Sequence, residues 1–404
     1  MRCRNKFIAG AAALAALFAN GPAAAQNAAA ATGTLRVLVN PGDSSEQSRV
    51  ALYIGWKAAV EQALRNKAPS VHVALSNDAT ADLGSTRAGL HDVFVGPAHV
   101  VGSAVRYGYK PVLGIGKPVQ AVLVAPKDSP IGSLAQAQGK RLGLPLQDSV
   151  VTYLVRGEVN AANTTIKRHF ASVYDTRYQD ALLPCLQVRR CDVVAVEKAV
   201  YDRWVAAGEP VKAIMESKPV PGLSVAIKAS AKPGAEPLQA GLAESAQFAA
   251  LLRSENAEAV AHTADDYKYV ATLGYFTPRA LPGATVVDAK AVAQLLQAGA
   301  TYVDTRTDAE FKAGHVPGAI LVPYVEKSPK EADYDASLDK FEVAKLGPDK
   351  AAPLIFACNG AECWKSFKAS QAALKAGYTK VHWFRGGFPE WRSSGMKFDA
   401  AAAQ

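Results

Sequence analysis

Beyond its first 25 residues the chain has no uninterrupted apolar run of the ~20 residues that a membrane-crossing helix needs. That removes an internal spanning segment from the expectations. It also lacks a dense Lys/Arg run interleaved with aromatic residues, so nucleic acid is excluded as a partner. No internal repeat is visible, which excludes a repeat array. Cysteine is scarce, with five in 404 residues, and the loop around the last two holds no histidine. Two sulfurs are too few ligands for a metal, so no metal is expected there. No cofactor is expected either.

The chain carries 45 basic and 36 acidic residues, a formal charge of +9. Arg2, Arg4 and Lys6 head an apolar run from Ile8 to Phe18, and Ala23, Ala24 and Ala25 follow. A basic head, a short apolar centre and small residues at a cut site describe a secretory leader over 1–25, cleaved near Ala25. Its removal takes three basic and no acidic residues, and the excess falls to +6. That mild excess suits small anions better than a polyanion. The mature protein is expected in a bacterial periplasm. In that oxidising compartment Cys185 and Cys191, in "PCLQVRRC", are expected to form a structural disulfide.

Strand and helix patterns alternate along the rest. "TLRVLVN" (34–40) reads as a buried strand, and 44–67 as a helix with Val50, Tyr53, Ile54, Lys57 and Val60 at helical spacing. Further strands are expected at 71–75, in 91–100 with its end at Gly96-Pro97, in 120–130 with a turn after it, and at 223–230. Such alternation implies α/β layers with parallel sheets. "TPRALPGAT" (277–285) is a polar break between a first unit at 34–280 and a smaller α/β unit at 283–400.

The first unit resembles periplasmic substrate-binding proteins of the phosphonate and phosphite uptake type. The resemblance rests on "LRVLVNPGDSSEQ", "HDVFVGPAHV", "APKDSPIGSLAQAQGKRLGL" and "QVRRCDVVAVEKAVYDRW", in that order. It implies a type-2 binding-protein fold, two α/β lobes around a ligand cleft, with a membrane transporter as a partner. Helix N-termini bind anions through free N–H groups and the helix dipole. "GDSSE" (42–46) and "QDSVVT" (147–152) supply such ends, with Ser44, Ser45, Ser149 and Thr152 as candidate ligand groups. Each serine is equally suited to plain helix capping. His99, in "GPAHV", is a candidate contact or a loop histidine. "VYDTRYQDALL" departs from the Ser-His-Asp stretch of that type, so sulfate-like, thiosulfate-like and organic-acid anions stay open.

The second unit resembles a rhodanese-like domain. "YVDTRTDAEFKAGHVPGAILVPY" (302–324) carries the Asp-x-Arg, Glu-Phe and Gly-His-Val-Pro-Gly-Ala elements, and "AALKAGYTKVHWFRGGFPEW" the closing ones. Asp304 and Arg306 are expected to brace a loop, and Glu310 and His315 to make structural hydrogen bonds. "LIFACNGAECWKS" occupies the active-loop position, after a strand and before a helix. Loop amides of Asn359, Gly360, Ala361, Glu362, Trp364 and Lys365 would then form an anion nest holding Cys358 as a thiolate. The common loop reads Cys-x-x-Gly-x-Arg-(Ser/Thr). Here Cys363 stands where the Arg is expected, and Glu362 adds a negative charge. The Cys-Trp pair is similar to exported rhodanese-like proteins associated with quinoprotein alcohol oxidation.

Three states stay open for Cys358 and Cys363. Cys358 carries a persulfide that Cys363 resolves; the pair cycles between dithiol and disulfide; or a permanent bridge pins the loop. The function expected is sulfane-sulfur transfer or thiol redox chemistry beside a small-anion module, with a thiol or other sulfur acceptor as redox partner. The alternative is a solute receptor or sensor with a non-catalytic rhodanese unit.

Overall fold

A computed structural model of the chain describes residues 33–76 and 78–400. The leader expected at 1–25 lies outside the described residues. Among them, no helix is long and apolar enough to cross a membrane.

The strands, in chain order, are β1 Thr34–Val39, β2 Ser70–Leu75, β3 Val93–Gly96, β4 Tyr109–Ile115, β5 Ala121–Pro126, β6 Arg141–Pro145, β7 Ser172–Thr176, β8 Val193–Glu197, β9 Val211–Glu216, β10 Ser224–Lys228, β11 Ala259–Ala261, β12 Ala284–Val286, β13 Thr301–Asp304, β14 Ile320–Leu321, β15 Leu354–Ala357 and β16 Val381–Phe384. They form three sheets, ordered β11-β4-β10-β3-β1-β2, β7-β6-β8-β5-β9 and β12-β16-β15-β13-β14. The chain leaves the first sheet after β4, builds the second, and returns for β10 and β11. Two lobes joined by two crossings result, as expected for a type-2 binding-protein fold. Four helices matter below: α1 Glu46–Ala63, α2 Ala79–Ala88, α3 Ala98–Arg106 and α4 Val150–Ala161.

The N-terminal sheets are mixed, not parallel as the alternation implied. β10 runs antiparallel to β3 and β4, and β5 antiparallel to β8 and β9. The residues of β10 are buried up to Ile227, and those of β5 up to Ala125, so their apolar runs carry no mark of direction. A second difference lies just after the strand in 91–100, whose end at Gly96-Pro97 is as expected. The strand ends at Gly96, Pro97 is the cap position, and α3 starts at Ala98. His99 is therefore a buried residue in the first turn of a helix and not a loop histidine.

In the C-terminal sheet every pairing is parallel. Asp304 at the end of β13 holds the guanidinium of Arg306 through Nε at 3.0 Å and Nη2 at 2.7 Å, and both side chains are 1% exposed. Arg306 Nη2 also donates to the Gly314 carbonyl at 2.6 Å. A buried pair so fully bonded fixes the chain after β13, the bracing role expected of it. Glu310 completes a capping box with Thr307. His315 stacks on Phe311 and shares a 2.9 Å hydrogen bond with its carbonyl. In the second lobe Cys185 and Cys191 lie at disulfide distance, with Cα atoms 5.3 Å apart.

Candidate functional site

All four residues of β15 are buried, and the strand delivers Cys358 to the edge of the sheet core. The helix Trp364–Lys375 begins six residues later. Between them the chain reverses at Gly360, whose φ of +88° suits glycine, and Cys363 N–H donates to the Gly360 carbonyl at 2.9 Å. Gly387, at φ +59°, lies beneath the turn, where a Cβ would overlap the Cys358 carbonyl. Phe388 N–H donates to that carbonyl at 2.9 Å. The loop thus rests on the Gly386-Gly387 segment by direct backbone contact.

Cys358 Sγ lies 3.2 Å from Ser366 Oγ and 3.2 Å from the Cys363 carbonyl oxygen. Trp383 Nε1–H donates to Ser366 Oγ at 3.1 Å. With its oxygen accepting there, the Ser366 hydroxyl can turn its own proton toward the sulfur, whereas the Cys363 carbonyl oxygen can only accept from it. The Cα atoms of Cys358 and Cys363 stand 6.2 Å apart, with the sulfurs within bonding reach. All three states left open by the sequence share this proximity. Ser366 was missed at the sequence level. It stands eight places after Cys358, but on the first turn of the helix it returns to the sulfur.

The expected nest residues divide. The amides of residues 359–362 donate to no acceptor among the described residues, so they remain available to a sulfur or anion. Their side chains turn elsewhere. Asn359 Nδ2 donates to Glu310 Oε1. Burial pushes the Glu310 carboxyl up, but the charge of Lys365 and the bonds from Thr307 outweigh it and hold it below its ordinary value. The carboxylate of Glu362 faces Arg106 of α3 at 3.4 Å, and Trp364 Nε1 donates to the Tyr275 carbonyl at 2.7 Å.

These last contacts belong to a cover. The Ala361 carbonyl accepts from Thr277 N at 2.9 Å and Oγ1 at 2.8 Å. Arg385 donates to the Thr277 and Pro278 carbonyls at 2.9 and 3.0 Å. Lys330, from the long segment between β14 and β15, forms an ion pair with Asp148 just before α4, and Thr80 of α2 donates to the same carboxylate oxygen. Lys330 and Asp148 are 8% and 5% exposed. Cys358, beneath this cover, is 1% exposed.

The candidate ligand residues of the first unit meet across the lobes, with a protein carboxylate between them. Asp43, next to Ser44, accepts from Gln179 Nε2 at 2.7 Å and interacts with the Ser149 side chain. Gln179 Nε2 also donates to Glu197 at 3.0 Å. The Ser44 carbonyl accepts from Asp180 N–H at 3.1 Å. Ser45 caps α1, accepting from Ser48 N–H at 3.1 Å, and Ser149 caps α4, accepting from Val151 N–H at 3.2 Å. Thr152 donates to the Pro145 carbonyl at 3.1 Å. His99 Nε2 lies 2.8 Å from the Asp148 carbonyl, so that nitrogen carries the proton, and burial lowers its pKa to about 4. The helix ends therefore do converge, but acidic groups line the closed cleft.

Glu197 shows the cost of that crowding. Burial, and then the charge of Asp43, raise its pKa from 4.5 to about 7. A carboxyl raised in the folded state adds stability at low pH that is lost as pH climbs through its folded pKa. Glu197→Gln stays neutral and keeps an oxygen for Gln179. Its melting temperature relative to wild type is expected to rise between pH 6 and pH 8. A constant difference across that interval contradicts the assignment.

Comparison with known proteins fits this architecture. A family model described as "ABC transporter, phosphonate, periplasmic substrate-binding protein" matches residues 39–267, and a rhodanese-like domain model matches 288–394. Thiosulfate sulfurtransferase 16, chloroplastic, of Arabidopsis thaliana is 33% identical over 102 residues, covering 25% of this chain and 82% of that protein. Thiosulfate sulfurtransferase 18 of the same plant is 32% identical over 107 residues, covering 26% and 76%. Among solved structures, a binding protein component of an ABC phosphonate transporter from Pseudomonas aeruginosa is 16% identical at TM-score 0.47, covering 60% of this chain and 85% of that one. PhnD1 from Prochlorococcus marinus, solved in complex with methylphosphonate, is 14% identical at TM-score 0.48, covering 60% and 97%.

Proposed function

We propose a function from one premise: this chain belongs to the family of phosphonate-type periplasmic substrate-binding proteins, and its C-terminal part belongs to the rhodanese-like family. The protein is an exported, periplasmic sulfur-handling protein. Its unit at 283–400 performs sulfane-sulfur transfer at Cys358, and its unit at 34–280 is a solute-binding module that also covers the active loop. One observation carries the reading. Cys358 ends a buried strand with the Ser366 hydroxyl 3.2 Å from its sulfur, free loop amides around it, and a second sulfur within reach.

The chemistry runs in two steps. The Cys358 thiolate attacks the outer sulfur of a donor such as thiosulfate. The new S–S bond forms as the donor's bond breaks, sulfite leaves, and Cys358 becomes a persulfide. Cys363, as a thiolate, then attacks Cys358 Sγ. The terminal sulfur leaves as hydrosulfide, and a disulfide remains. A dithiol partner must reduce that disulfide before the next turnover. An external thiol attacking the terminal sulfur completes transfer without Cys363.

The burial of Cys358 favours a second reading, a receptor whose rhodanese-like unit is locked by the disulfide. The test is sulfur release from thiosulfate to a thiol acceptor by the full-length, pre-reduced protein. Turnover is expected. No turnover with any sulfane donor leaves the receptor.

A further inference from the structure

Arg87 is 6% exposed, yet its Nε is buried without a hydrogen-bond partner, and no carboxylate pairs with its guanidinium among the described residues. A buried cation is costly unless something negative meets it. The last turn of α2 supplies partial negative charge but no hydrogen bond to this side chain. Of the other buried arginines among the described residues, Arg306 has the Asp304 carboxylate at 2.7 Å and Arg49 donates to the Gly42 and Ser76 carbonyls. Arg87 has no such partner.

Its position is informative. A Cβ on Gly84, three residues before Arg87 on α2, would stand 3.3 Å from Glu310 Oε1, the oxygen that holds Asn359 of the loop, and the charge of Arg87 opposes the upward push of burial on the Tyr107 hydroxyl. That hydroxyl lies 3.1 Å from where a Cβ on Gly360 would stand, at the rim of the active loop. Leu83, one turn earlier on α2, lines a small cavity with Ser103, Arg106, Tyr153 and Glu362, and there is room in it for about one water molecule. Arg87 therefore belongs to the face of the binding module that meets the Cys358 loop. The same loop carries cysteine where the resemblance set out above expects arginine, and its Glu362 carboxylate already sits on a cation of this face, Arg106, at 3.4 Å.

We propose that Arg87 is the principal cation of a composite site for a small divalent sulfur oxyanion, built by the binding module against the Cys358 loop and occupied when the anion displaces Glu362. The inference rests on sulfur transfer at Cys358 only for the identity of the anion. The guanidinium absent from the loop is supplied by the neighbouring module, and the acidic lobe cleft is not the anion site. Arg87 presents a planar fork suited to two oxygens of one oxyanion.

Thiosulfate titrated calorimetrically into full-length Cys358→Ser protein tests this without turnover. Binding is expected, at least tenfold weaker in the added presence of Arg87→Met, with Arg87→Lys between the two. Glu362→Gln removes the internal competitor and is expected to tighten binding several-fold, and it decides the matter if Arg87→Met does not fold. Equal affinity in Arg87→Met, no tightening in Glu362→Gln, or no binding by the parent protein overturns the proposal. Arg87-dependent binding without turnover in the wild type removes only the sulfur-transfer reading. Turnover with kcat/KM unchanged in Arg87→Met removes only this one.

Discussion

Cys358→Ser is expected to lower thiosulfate-to-thiol sulfur transfer by about 10³-fold or more, because the step that forms the new S–S bond has no substitute nucleophile. A serine hydroxyl is not ionised beside Ser366 and a neutral backbone, so the loop amides would have no anion to hold. Cys363→Ser should behave differently. It leaves the attacking sulfur and its Ser366 contact in place. It should retain transfer to an external thiol within a few-fold, while losing hydrosulfide release that needs no added thiol. Equal losses in both variants would make the pair a redox unit with no sulfur carrier. Neither variant losing activity would move the chemistry elsewhere.

Lys330→Met is expected to make Cys358 of the reduced protein react with an alkylating reagent about a hundredfold faster. Cys358 is 1% exposed under Thr277, Tyr275 and α3, so alkylation requires the cover to part. Lys330 and Asp148 form the buried ion pair that ties the segment between β14 and β15 to the loop before α4. Breaking one partner of a buried pair costs about 3–5 kcal/mol. The charge of Lys330 is the main influence holding the Asp148 carboxyl low against burial, which raises it, so its loss leaves Asp148 uncompensated. Falling on the docked state, that cost raises the open population by about two powers of ten at the lower end of its range, and alkylation follows it. Asp148→Asn should act in the same direction. An unchanged rate would mean that the sulfur is reached by another path or that the pair does not hold the cover.

The fold was legible where apolar period and punctuation agree. The strand Leu354–Ala357, the glycine turn and the helix from Trp364 stand where the pattern placed them. Direction was not legible, since β10 and β5 are apolar on both faces and read alike in either sense. The helix α3 was missed because Gly96-Pro97 closed a strand reading, although Pro97 also fits a helix start and Val101 and Val105 keep helical spacing. Of the site, Cys358 and Cys363 could be picked out from their motif. The cover could not. Lys330 meets Asp148 across 182 positions, and Trp364 meets Tyr275 across 89, and no local pattern in either segment announces its partner. The helix-end serines were placed correctly at their helix starts, but the sequence did not reveal that Asp43 would sit between them.

The central claim is that Cys358 carries sulfur. Intact-mass spectrometry tests it most directly, on full-length protein reduced, freed of reductant, exposed to thiosulfate and quenched by alkylation. The account predicts one added sulfur, mapped to Cys358, in Cys363→Ser protein, a smaller amount in wild type where Cys363 resolves it, and none in Cys358→Ser. A Cys363→Ser protein that gains no sulfur at Cys358 under these conditions contradicts it.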